Sequence, residues 1–268
     1  MEALQPFPQY KVISQGLEHI GDSTYHALVV MVDRRLSAGL TMLASYTLSK
    51  LFSNADSVTG GVAATDYFNR ALDKALSSED QTHVIRYSLS YDLPAGKGKR
   101  YLTTGIASAV FGGWGLSGTG EYASGTPMSV SPGITLPYGG GDRVFVTSYD
   151  NWVAPTTGAS FDPFKDVWFN KNAFNQVSQT VLDTQIGNAT RNNPKVRSPW
   201  FLNESVSLAR NIAVKERVRV SLRFEAFNLF NRVRWGGPTS TLNSPNFGLV
   251  RSQGNDPRRM QAALKLYF

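Results

Sequence analysis

The sequence predicts an all-β fold, an antiparallel transmembrane β-barrel segment, and three observations carry that expectation. Runs of about ten residues alternate apolar and polar positions, the length a tilted strand needs to cross a bilayer. The connections between the runs alternate between short and long. The chain closes on a strand, Met260 to Phe268, in which Met260, Ala262, Leu264 and Leu266 share the face of Phe268 while Gln261, Ala263, Lys265 and Tyr267 share the other. In water such a strand would offer an apolar edge to other chains. In a closed barrel the edge is paired and the apolar face meets lipid.

Taken in chain order, the candidate strands begin with a weak one, Tyr10 to Glu18, followed by Thr24 to Arg35 and Leu40 to Phe52. The turn Ser37-Ala38-Gly39 joins the last two. Val84 to Leu93, Trp114 to Ala123 and Trp200 to Arg210 come next. The clearest alternation lies in Arg217 to Ala226, where Val218, Val220, Leu222 and Phe224 take the even positions and Arg217, Arg219, Arg223 and Glu225 fall among the odd ones. A helix cannot separate these two sets, whereas a strand puts them on opposite faces. Charges of both signs on one face predict a wet, lumen-facing surface.

Ser37 to Gly39 and Asn211 to Glu216 read as short periplasmic turns, and Ser53 to Gln81, Ser124 to Pro199 and Asn231 to Pro257 as long extracellular loops. Pro94 to Gly113 is long for a periplasmic turn, so Leu102 to Phe111 is expected either to form a short helix or to lengthen the flanking strands. A hairpin is expected around Arg143 to Tyr149 in the longest loop. The count comes to about eight strands, also the number in the smallest common closed barrel. The length of the loop from Ser124 to Pro199 favours a wider barrel.

Composition agrees with this class. Aromatic residues make up 12% of the chain, the mean hydropathy is slightly polar, and no run approaches the roughly 18 apolar residues of a membrane helix. There is no Cys, which removes disulfides and thiolate chemistry. The net charge of +7 is scattered over strand ends and turns rather than gathered in a stripe, so no nucleic-acid partner is expected. Met1-Glu2-Ala3-Leu4-Gln5-Pro6 has neither the basic n-region nor the apolar h-region of a signal peptide. Residues 1–268 are therefore expected to be one C-terminal stretch of barrel, with no signal peptide and no separate soluble domain visible.

Motifs of chemistry are few. Gly113-Trp114-Gly115-Leu116-Ser117-Gly118 fits the dinucleotide pattern, but the Thr119-Gly120-Glu121-Tyr122 that follows is no helix start. Glycines on this strand beside Trp114 and Tyr122 are expected to bend the wall or make room beside aromatic rings. Gly96-Lys97-Gly98-Lys99-Arg100 reads as a solvated basic turn. His19, His26 and His83 form no ligand cluster, and Asp66, Asp73, Glu79 and Asp80 read as solvated loop acids. Phe227, Phe230 and Trp235, Tyr46 and Phe52, and Tyr267 with Phe268 read as interface girdles. Trp152, Trp168 and Phe174, inside the longest loop, are expected either to contact a ligand or to pack the loop against itself. No catalytic, cofactor or metal residue is assigned, and no enzyme is expected.

Phe224-Glu225-Ala226-Phe227-Asn228-Leu229-Phe230-Asn231, Ser244-Pro245-Asn246-Phe247-Gly248 and Asp256-Pro257-Arg258-Arg259-Met260-Gln261 resemble the C-terminal end of Oar-like TonB-dependent transporters, of the carboxypeptidase regulatory-like domain type. Leu40 to Lys50, Tyr91 to Arg100, Gly113 to Gly118 and Ser124-Gly125-Thr126-Pro127 resemble the same barrel in the same order. The resemblance implies an outer-membrane barrel of roughly 22 strands whose lumen a plug fills, of which this chain is part of the wall and loops, inactive in transport alone. It implies as partners the outer-membrane lipid, the barrel-assembly machinery, the plug and earlier strands, TonB through that plug, and a solute. Met260, Leu264, Leu266 and Phe268 would form the terminal assembly signal. Two other readings are a complete small barrel acting as adhesin or passive pore, and a soluble β-rich binding module.

Overall fold

The computed structural model describes residues 20–37, 39–55, 65–66, 69–133, 143–148, 150–155, 161–175, 181, 185–215 and 218–268. Seven long strands form one antiparallel sheet in the order β1 (Ser23–Ser37), β2 (Leu40–Ser53), β4 (His83–Asp92), β5 (Trp114–Ala123), β10 (Phe201–Lys215), β11 (Val218–Phe227) and β12 (Arg259–Tyr267). The short β3 (Ala75–Leu76) pairs with the end of β2. Among the described residues β1 and β12 are the two edges, and the sheet is not closed. The expected strand Tyr10 to Glu18 lies outside the described residues, as does the connection at 216–217.

Register converts the period-two pattern into two continuous faces. Residues directly opposite in antiparallel strands point the same way. One row runs Ala262, Phe224, Leu208, Leu116, Tyr91, Leu40 across six strands; the adjacent row, on the other face, runs Gln261, Glu225, Ser207, Ser117, Ser90, Thr41. A slip of one residue would exchange the two sets. Turn chemistry helps to hold that register: Gly39 adopts φ +82° between β1 and β2, and a Cβ there would lie 2.9 Å from the carbonyl oxygen of Asp92. Only glycine suits both conditions.

Glycine has a second use inside the wall. Gly120 sits opposite both Tyr87 and Glu204, and a Cβ on it would lie 2.3 Å from the Tyr87 ring. The ring therefore lies over the glycine, which is the room beside an aromatic that the sequence suggested.

Several boundaries differ from expectation. β10 continues through 211–215, read as a turn, because its ladder with β11 persists to the pair Lys215 and Val218 after a register shift. The 102–111 stretch resolves in favour of a short helix, α1 (Gly105–Phe111). The strand near 143–149 is β7 (Phe145–Val146), whose partner is the distant β8 (Phe174–Asn175), not a local hairpin. Phe227 and Tyr267 leave the expected girdle, since odd parity in β11 and β12 places them on the polar face. Trp235 packs against the loop core instead. On the apolar face, rings gather near the two ends of the strands: Tyr46, His83 and Trp200 stack at the loop end, with Tyr46 hydroxyl 2.9 Å from His83 Nδ1, while Trp114 and Tyr91 lie toward the turn end.

The long connections form a folded module at the loop end of the sheet. The strand β6 (Pro127–Met128) pairs with β9 (Asn193–Arg197), and β7 with β8, around a core that includes Val144, Val196, Phe169, Phe247 and Val250. Loops of this length seldom bury so many rings unless they fold as a unit.

Face assignment is testable at mid-strand in β11, where Leu222 lies between Arg210 and Leu264 and Ser221 between Asn211 and Lys265. If the apolar face meets lipid, Leu222→Arg should destabilise the inserted barrel by about 2–4 kcal/mol and Ser221→Arg by far less. Denaturant titrations in vesicles measure the difference. Equal losses at both positions would reject the two-faced wall.

Candidate functional site

The polar face and the loop module above it form the candidate site, and buried ion pairs join the loops. Asp73, 1% exposed, receives Arg70 Nη1 and Arg143 Nη2, each at 2.8 Å. Arg143 also donates to the carbonyl oxygen of Ala189 at 2.9 Å. Asp80 pairs with Arg197 at 2.7 Å and accepts the backbone N–H of Leu51 at 2.8 Å. Asn192 Nδ2 donates to the carbonyl oxygen of Leu76 at 2.8 Å. Asp73 and Asp80 are thus interior anchors, not the solvated loop acids their spacing suggested. Each carboxylate is compensated by guanidinium groups, the condition under which burial of charge is tolerated.

The three aromatic residues singled out in the longest loop are interior as well. Trp152, 1% exposed, meets Phe174 edge to face at 5.0 Å, and Phe161 meets Trp168 at 5.1 Å. Phe174 in turn meets Phe247 at 5.6 Å. In this structure Trp152, Trp168 and Phe174 pack the loop module against itself.

The Asn-rich end of β11 is a hydrogen-bonded knot. Asn228 and Asn231 both adopt left-handed conformations, φ +52° and +51°, which Asn tolerates better than most residues. Asn228 Oδ1 accepts the N–H of Arg232 at 2.9 Å, and Nδ2 donates to the carbonyl oxygens of Arg232 and Asp256. Asn231 Oδ1 accepts the N–H of Arg258 at 3.0 Å. The knot ties the end of β11 to the segment that enters β12. Beside it opens a recess of about 550 Å³ lined by Asn203, Phe227, Arg234, Asp256, Arg259 and Gln261 among others. Arg234 lies over the Phe201 ring at 4.6 Å, and Arg259 pairs with Asp256.

A second recess, of about 240 Å³, lies over β1, β2 and β4 and includes Tyr25, Thr47, Ser49, Glu79 and Arg86. Arg86 donates to Glu121 across the same face, at 2.6 and 2.9 Å. Of the residues expected to line a lumen, Arg219, Arg223 and Glu225 share this polar face, with Arg223 3.6 Å from Glu225; Arg217 lies outside the described residues. Met260, Leu264 and Leu266 are exposed on the apolar face of β12, and Phe268 is exposed just beyond it. Among the described residues no group of three or more His, Cys, Asp or Glu side chains could hold a metal ion.

Two charged residues escaped the sequence reading. The even positions of β10 are apolar at Leu202, Val206, Leu208 and Ile212 but charged at Glu204 and Arg210, and that break in alternation was the signal. Glu204, 2% exposed, lies beside Tyr87 and Tyr122 and pairs with Arg232 at 3.2 Å. Arg210 donates Nη1 to the carbonyl oxygen of Val110 in α1 at 2.8 Å. Both of these charges are therefore partnered.

A family model described as the outer membrane beta barrel domain matches residues 1–261. No curated protein and no solved structure gives a significant match.

Removing Arg143 would leave the Asp73 carboxylate buried with half its compensation. Arg143→Ala is expected to destabilise the loop module by about 3–5 kcal/mol while leaving the wall strands protected. Hydrogen exchange resolved by segment checks this: faster exchange confined to the loops is the expected result, and unchanged exchange there would show that the pair does not join them.

Proposed function

The chain belongs to the outer membrane beta barrel domain family, and from that premise we propose that it forms wall and extracellular loops of an Oar-like TonB-dependent transporter. Family membership supports the outer membrane as its location. In this reading the apolar face meets lipid, and the polar face with Arg219, Arg223 and Glu225 lines the lumen. The loop module forms the extracellular mouth. The observation that carries the proposal is the recess between that module and the polar face, which offers guanidinium, carboxylate and amide groups beside the Phe227 ring. Such a set suits capture of a polar solute by binding, without chemistry.

The open sheet also supports a wide barrel. Closing seven tilted strands and their large loops into a transporter lumen requires further wall strands, and the resemblance supplies them together with a plug through which TonB would act. Under this proposal the chain alone, exported with a signal peptide, aggregates or is degraded rather than forming a heat-modifiable monomer. A protease-resistant species with steady conductance in planar bilayers would overturn it in favour of a complete small pore.

The terminal set Met260, Leu264, Leu266 and Phe268 is assigned to recognition by the barrel-assembly machinery. Deleting Phe268 from the intact protein should lower its level in the outer membrane while leaving solute contacts untouched. Quantitative blots of membrane fractions test this, and an unchanged level would remove the assignment.

A further inference from the structure

The connection at 93–113 carries exposed apolar side chains that the wall does not explain. Six of the seven residues of α1 are exposed, Ile106 at 84% and Phe111 at 61%. Around the helix, Ile106, Val110, Ala107 and Phe111 form one continuous apolar arc, with the half-buried Ser108 just beyond its edge. An outer-membrane turn facing water has no use for such an arc.

The position of the helix accounts for it. Arg210 lies on the apolar face of the wall, in the row of Trp114, Leu222 and Leu264. Its guanidinium donates to the carbonyl oxygens of Ala109 and Val110, and Trp114 Nε1 donates to the same Val110 oxygen at 3.1 Å. Two side chains of the apolar face thus hold the C-terminal end of α1, so the arc continues that face at its turn end. In the turn that precedes the helix, Lys97, Lys99 and Arg100 are exposed, and Arg100 lies over the Tyr101 ring at 5.3 Å.

We propose that α1 is an interfacial foot that lies in the phospholipid leaflet at the turn end of the barrel. Its apolar arc enters the boundary between headgroups and acyl chains, to a depth of about 5–10 Å for a helix of this kind. Lys97, Lys99 and Arg100 meet anionic headgroups. Arg210 then has a definite role: it joins the foot to the wall and finds, in the helix carbonyls, the partners that lipid would deny it. The inference rests on the reading that the apolar face meets lipid.

The test uses the protein isolated from the outer membrane in the barrel it forms there, reconstituted in vesicles of phosphatidylethanolamine and phosphatidylglycerol. Nitroxide labels are placed singly by Ile106→Cys and Leu116→Cys, in a chain that has no Cys of its own. The expected result is that both labels relax with dissolved oxygen and are shielded from a water-soluble nickel chelate. A label at 106 reached by the chelate, or shielded from both agents as under a protein partner, overturns the foot while a lipid-exposed label at 116 keeps the wall reading. If the label at 116 is itself reached by the chelate, the wall reading fails and the foot with it. Replacing phosphatidylglycerol by zwitterionic phosphatidylcholine should raise the label at 106 toward water, and an unchanged depth would overturn the headgroup contact.

Discussion

Hydrocarbon cannot hydrogen-bond a peptide group, and that constraint organises the whole molecule. Every N–H and C=O that crosses the bilayer must find a partner in a neighbouring strand. The strands are therefore long, antiparallel and joined by continuous ladders. Once the ladders exist, the pleat sends alternate side chains to opposite faces, and the row of Leu208, Leu116, Tyr91 and Leu40 cannot be moved without moving the row of Ser207, Ser117, Ser90 and Thr41. The two faces are not separate features. Each is a consequence of satisfying the backbone.

The same constraint explains how exceptions are handled. Glu204 and Arg210 break the apolar row, and each is given a partner: Arg232 for the carboxylate, the α1 carbonyls for the guanidinium. Tyr87 lies over Gly120, and with Tyr122 it stands beside the buried Glu204 carboxylate. The loop module obeys the complementary rule, in which buried Asp73 and Asp80 are matched by arginines from connections far away in sequence.

What could be read from the sequence was whatever depends on period and turn chemistry. β5 was bounded correctly, and β1, β2, β4, β11 and β12 to within one or two residues, because alternation is a local signal and Gly39 punctuates it. The end of β10 is not legible because Arg210 interrupts the apolar row, although the alternation resumes at Ile212 and Val214 and the ladder continues to Lys215. Long-range pairing was not legible: nothing local says that Phe145 faces Asn175 or that Arg143 reaches Asp73. Trp152, Trp168 and Phe174 could be read as aromatic but not as interior, since burial in a loop is decided by partners such as Phe247 that lie elsewhere in the chain. The motif at Asn228 was recognisable as a pattern, yet its meaning as a knot depended on two left-handed residues and the carbonyl of Asp256.

The buried pairs that join the two loops also shape how this surface can change over generations. A module built from independent loops could exchange one of them freely. Here the 54–82 and 124–199 connections share Asp73, Arg143, Asp80 and Arg197, so an insertion or deletion in one alters the other. Divergence is channelled toward residues that project from the module without entering it, such as Phe164, 93% exposed. Related chains should therefore keep the arginine and aspartate framework and vary the outward side chains, as a keyring keeps its ring while the keys are replaced.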